Sequence, residues 1–276
     1  MTKPKNHHFL PIFYLKGWCD SSGQLIRYTR SYNNQIATKP VYPAQTGYEQ
    51  YLYTMEGLPD DRKQIIEKDY MTAKVDTPAA KALRVLLDAG TSALTAEQRG
   101  DWTRFMIASL HRRPAAVAEI GETFKSTLQK NLLADSQYDS DDKQEPPPYL
   151  IDDAAKVMVV RAIENDGIGN IIINMQWSVL DMSASQHELL TGDMPYLRYH
   201  GLKDPRCTIL FPLTPTKLFI ATHDGKTEHN INSRSKTEVV KSVNDEVARL
   251  AERFVYGRTA DHRRFVSNRL GRTLSR

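Results

Sequence analysis

From Trp177 to Met182 large apolar residues alternate with smaller or polar ones, the period of a half-buried strand. Ser183, Ala184 and Ser185 supply a turn, after which Glu188-Leu-Leu-Thr191 is placed to return antiparallel. Gly192 frees the backbone, Asp193 follows, and Pro195 ends the ladder because it has no N–H to donate. Thr208–Phe211 predicts a second strand, stopped by Pro212, and Lys217–Ala221 a third. Gly23 to Arg30 reads as an earlier strand entered from a Ser-Ser-Gly turn, whereas residues 31–54 lack a helical period and predict a long loop with one short helix near 45–51.

The middle of the chain has the helical period. Pro59 to Tyr70 runs into Thr77–Leu87, where Pro78 suits a first helical turn. Thr95 and Gln98 form a capping box ahead of a helix through Trp102, Phe105, Met106 and Leu110. Pro114 restarts that helix, and 115–133 continues it. Residues 134–148, acidic and rich in proline, predict a flexible segment. Residues 151–174 predict one helix broken near Gly167–Gly169, and Lys236 to Tyr256 an amphipathic one. An isolated strand is unstable, so Leu25–Arg30 is expected to join the later sheet. The expectation is a single α+β domain over 1–276: a helical middle and a C-terminal helix packed on a mostly antiparallel sheet that includes an N-terminal strand.

Composition narrows this little. Charged residues are 25% and hydrophobic ones 40%, ordinary for a globular chain, and no apolar run reaches the length that spans a bilayer. Cys19 and Cys207 make neither a metal-ligand pattern nor a disulfide framework, and a cytoplasmic location is the expectation. Net charge is only +4, but seven arginines lie between Arg253 and Arg276 against Asp261 alone. Such a basic tail, 258–276, neutralises phosphates or simply forms an amphipathic last helix. Phosphate-loop, dinucleotide-binding, His-Glu-x-x-His and Gly-x-Ser-x-Gly patterns are missing from the sequence.

Four stretches stand apart: His7-His8-Phe-Leu-Pro-Ile-Phe-Tyr-Leu-Lys-Gly-Trp18, His111-Arg-Arg-Pro114, Thr191-Gly-Asp-Met-Pro195 and Phe211-Pro-Leu-Thr-Pro215. In order and spacing the chain resembles, over nearly its whole length, the bacterial family of domain of unknown function 4238. Gly192 and Met194 stand where that family usually has serine and asparagine around the aspartate. The resemblance implies one coherent fold and brings no activity with it.

The polar residues of these stretches define a candidate constellation: His7 or His8, Arg112 or Arg113, and Asp193, with Glu67 and Asn244 as substrate-binding additions. Histidine is a general base near neutrality, arginine clamps phosphate, and aspartate orients the histidine or holds a divalent metal. Together they suit phosphodiester hydrolysis or transfer on nucleic acid or a phosphorylated small molecule. The plain alternative is that Asp193 caps turn N–H groups and Arg113 satisfies carbonyls at a helix end. A non-catalytic nucleic-acid-binding protein or a protein-interaction module are the other classes the chain fits.

Overall fold

The computed structural model describes residues 5–134 and 147–271; the flexible segment expected at 134–148 lies almost wholly outside these, as does the end of the basic tail. Both N-terminal histidines lie on a strand, β1 (Asn6–His8). Helix α1 (Ile12–Leu15) starts after Pro11 and continues as a 3-10 turn through Trp18. Strand β2 (Leu25–Arg30) then pairs along its full length with β3 (Ile36–Val41), and β4 (Tyr48–Gln50) pairs with β1. In place of the short helix expected near 45–51 there is a 3-10 turn at Pro43–Gln45 followed by β4, and the long loop expected over 31–54 therefore holds two strands. Its composition hid them because only Ile36 and Val41 of β3 point into the core, and the strand lies at a sheet edge where Pro40 is tolerated.

Residues 66–76 wind as a π-helix, which runs directly into α2 (Thr77–Asp88). The capping box is present: Thr95 accepts from the Gln98 N–H at 3.2 Å and Gln98 from the Thr95 N–H at 3.0 Å, opening α3 (Ala96–His111). Helix α4 (Pro114–Ala134) restarts at Pro114 as expected. The next pair, α5 (Pro148–Ile163) and α6 (Asp166–Ile173), breaks at Glu164–Asn165 and not at the glycines; the Asn165 side chain caps α6 by accepting from the Ile168 N–H.

Strand β5 (Gln176–Asp181) follows, then β6 (Thr191–Gly192), β7 (Leu197–Tyr199), β8 (Thr208–Thr214) and β9 (Lys217–Thr222). Pro212 does not stop β8; the strand carries it through an irregularity between Pro212 and Thr214. Helix α7 (Gly225–Asn232) leads to α8 (Lys236–Leu250), which ends earlier than its apolar period implies, because 254–257 form β10 (Phe254–Gly257). A short helix, α9 (Arg263–Ser267), closes the described chain.

The strands form three antiparallel sheets, ordered β1-β4, β3-β2-β10-β6 and β5-β9-β8-β7, and the fold is α+β. The N-terminal strand β2 joins β10, not the sheet of β8 and β9. Thr191–Gly192 likewise pairs with β10 and not back on β5. The reason is local: side chains have taken the backbone groups ahead of it. Trp18 donates to the Leu189 carbonyl at 2.9 Å, and Asn244 bonds both the Glu188 carbonyl and the Leu190 N–H at 2.8 Å.

Alternation sorts β8 and β9 into two cores. Ile209, Phe211, Leu213 and Phe219 pack with Tyr14, Trp18, Trp102 and Phe105 under the helical middle. Leu210, Leu218 and Ile220 pack with Val239, Val243 and Val247 of α8 on the opposite face. A sheet covered on both faces requires the near-continuous apolar run seen at Thr208–Leu213. Among the described residues no helix is long and apolar enough to cross a membrane.

Candidate functional site

The expected constellation divides. His7, His8, Glu67 and Arg112 meet at the junction of β1, the π-helix and the end of α3. His7 is buried, its Nδ1 accepting the Tyr53 N–H at 2.9 Å and its ring stacked on Tyr53. Arg112, 1% exposed, holds Asp76 through two bonds of 2.6 and 3.1 Å and donates a third, 2.8 Å, to the His8 carbonyl. The Tyr53 hydroxyl donates to the Arg112 carbonyl. Burial alone would lower the pKa of Arg112, but Asp76 beside it wins and holds it above the ordinary arginine value. Burial also lowers the pKa of His8, Arg112 adding to the effect.

Glu67 is the titrating member. Burial pushes its carboxyl up to about 7, Arg112 opposing and Asp76 adding. A carboxyl raised in the folded state stabilises fully below its unfolded pKa, near 4.5, and that contribution is lost as pH rises through about 7. His8, lowered, acts oppositely, its contribution being lost as pH falls below 6.5. The two are separated by Glu67→Gln: the stability difference between wild type and variant is expected to fall by about 2 kcal/mol from pH 5 to pH 8. Urea titrations at a series of pH values check this, and a pH-independent difference would reject it.

Arg113 and Asp193 form a second group. Arg113 is ion-paired with Glu252 and donates to the Leu110 carbonyl at 3.2 Å. Asp193, 2% exposed, accepts the Glu252 N–H at 2.8 Å on Oδ1 and those of Arg253 and Phe254, at 2.6 and 2.9 Å, on Oδ2. Burial pushes it up to about 6 against these donors and the nearby Arg113. This carboxylate ends α8 and opens β10; it caps a turn, as the plain alternative holds. Gly192 serves the same junction by close approach, since a Cβ there would stand 3.1 Å from the Phe254 carbonyl oxygen. Asn244 sits apart from both groups, pinning residues 188–190. Among the described residues no cluster of three or more His, Cys, Asp or Glu side chains is placed to hold a metal ion.

The C-terminal arginines are largely engaged. Arg253 pairs with Glu49, Arg258 with Glu188 and Arg269 with Asp245, and Arg263 donates to the Ile36 carbonyl; Arg264 is exposed. Arg272 and Arg276 lie outside the described residues.

A wide cleft, of about 870 Å³, lies elsewhere among the described residues, bordered by α3, α4, α5, α6 and β7. Its walls are mainly apolar, with Ile107, Leu110, Ile120, Phe124, Met158 and Ile172 among them. Its charged and titratable side chains are Arg113, Arg198, Glu119, His111 and Tyr196. Burial lowers the pKa of His111, and Arg113 adds to the effect, both favouring the neutral imidazole. His111 and Arg113 come from the His-Arg-Arg-Pro stretch, and Tyr196 directly follows Pro195. One of the four conspicuous stretches therefore lines this cleft, and a second ends one residue short of it. Sequence reasoning missed it because Arg198, Tyr196 and the apolar face of α4 carry no local signal distinguishing a cleft wall from a core.

Compared with known proteins, residues 6–261 match the family described as protein of unknown function (DUF4238). No curated protein and no solved structure matches.

Proposed function

The chain belongs to the DUF4238 family of proteins of unknown function, and we propose from its geometry that it binds a small phosphorylated or otherwise anionic molecule with an apolar body in the cleft beside α4. The observation that carries this is the cleft itself, whose volume suits a small ligand and whose apolar walls meet Arg113 and Arg198. Arginine recognises phosphate and carboxylate through paired donors, and a desolvating apolar surround strengthens the bond.

Phenyl phosphate, a short ligand of this class, tests the reading by calorimetric titration. Arg198→Ala is expected to weaken binding at least tenfold, the effect of one charge-assisted hydrogen bond. Arg198 is exposed, whereas Arg113 is braced by Glu252, so the first variant leaves the fold intact. Ala116→Trp, which fills the cleft, is expected to abolish binding. Binding indifferent to both changes would reject the reading.

A second reading is hydrolysis of the bound phosphate ester. His111 beside Arg113 in the cleft favours it, the pairing of a base with an anion clamp. It relocates the expected hydrolase from Asp193 to the cleft. Phosphate release from p-nitrophenyl phosphate that persists in His111→Ala would sink it.

A further inference from the structure

The shape of the cleft narrows the ligand. Ala116, Glu119, Ile120, Thr123, Phe124 and Thr127 all line it, and they are spaced as one face of a helix. From 116 to 127 that face runs about 16 Å at the α-helical rise. Arg113 stands at its start, next to the N-terminus of α4, where a helix end favours an anion. Ile120 and Phe124 share the lining with Met158 and Ala162 of α5 and Ile168 and Ile172 of α6. The lining has two guanidinium groups, Arg198 and Arg113, the latter also paired with Glu252, to one lining carboxylate, Glu119. One charged end and one long apolar wall describe a single-chain amphiphile.

Resting on the cleft-binding reading above, we infer that the ligand is an alkyl or prenyl chain bearing a phosphate or carboxylate, its head at Arg113 and its tail along α4. Apolar transfer makes each added methylene count roughly fourfold in affinity while it has wall to cover. The gain stops at about twelve carbons, the length that about 16 Å of groove accommodates.

The experiment is titration of the full chain with n-alkyl phosphates from butyl to hexadecyl, below their micelle concentrations, beside phenyl phosphate. Affinity is expected to rise roughly fourfold per methylene and then level off. Phe124→Glu, toward the far end of the groove, is expected to flatten the series. Alkyl carboxylates of the same lengths distinguish the two head groups. A flat series with phenyl phosphate still bound overturns the inference and leaves the binding reading standing. Failure of every ligand overturns both. Self-association that Phe124→Glu abolishes and that excludes dodecyl phosphate also overturns it, by assigning the groove to a second copy of the chain.

Discussion

Arg112→Met is expected to lower the stability of the fold by about 3–5 kcal/mol, the loss that follows when one partner of a buried ion pair is removed. Three bonds disappear together: two to Asp76 and one to the His8 carbonyl. What remains is a partly buried Asp76 carboxylate without its counter-ion and a strand carbonyl without its donor. The damage would fall on β1 and on the start of α2, which the guanidinium ties to the end of α3. Arg112→Lys is expected to rescue little, because an ammonium cannot reproduce the planar fork on Asp76 and reach His8 as well. Replacing the pair by apolar residues, Arg112→Met with Asp76→Leu, is expected to recover much of the loss. Urea unfolding with an unchanged slope measures all three variants. A Met variant within about 1 kcal/mol of wild type that has lost ligand binding would reverse the conclusion and make Arg112 functional.

Much of the architecture is legible from local pattern. The alternation at Trp177–Met182, the Thr95–Gln98 box and the restart at Pro114 are short-range devices, and each lies where the residues predict. What escapes is decided by partners distant in sequence. Strands β3 and β4 exist because β2 and β1 pair with them, and no periodicity announces either. Helix α8 looks longer than it is because Phe254 and Val255 continue its apolar rhythm; a carboxylate about sixty residues earlier takes the N–H groups that a longer helix would have used.

The candidate site divides along the same line. His8, Glu67 and Arg112 do come together, yet Asp76, their acidic partner, sits two residues before Pro78 and looks like an ordinary helix start. Polar residues spread across the four conspicuous stretches invite a catalytic reading, since frameworks are usually apolar. Here several of those polar groups are the framework: Tyr14 donates to the Pro212 carbonyl and bonds Thr191, Trp18 holds Leu189, and Arg112 holds β1. A buried polar group that finds its partner fixes register in a way that apolar packing does not, and that requirement selects particular side chains as strongly as chemistry does. The residues left to face the cleft, His111, Arg113 and Tyr196, are neighbours in sequence of framework residues, which is why the sequence alone does not separate the two roles.

Asp193 provides the sharpest separation. A catalytic or metal-binding aspartate changed to asparagine typically leaves a folded, inactive protein, because the side chain keeps its shape. A capping aspartate behaves differently. Its two oxygens accept three backbone N–H groups, so an amide turned either way sets an NH₂ donor against at least one of them. Asp193→Asn is therefore expected to lose about 3 kcal/mol or more, close to the loss in Asp193→Ala, through unpaired buried donors. Loss of the cap frees 252–254, the segment that turns α8 into β10, so β2 loses one of its two neighbours in the second sheet. Thermal unfolding and amide exchange at Arg253 and Phe254 measure this. An Asn variant as stable as wild type, with binding or turnover gone, would return Asp193 to the active site.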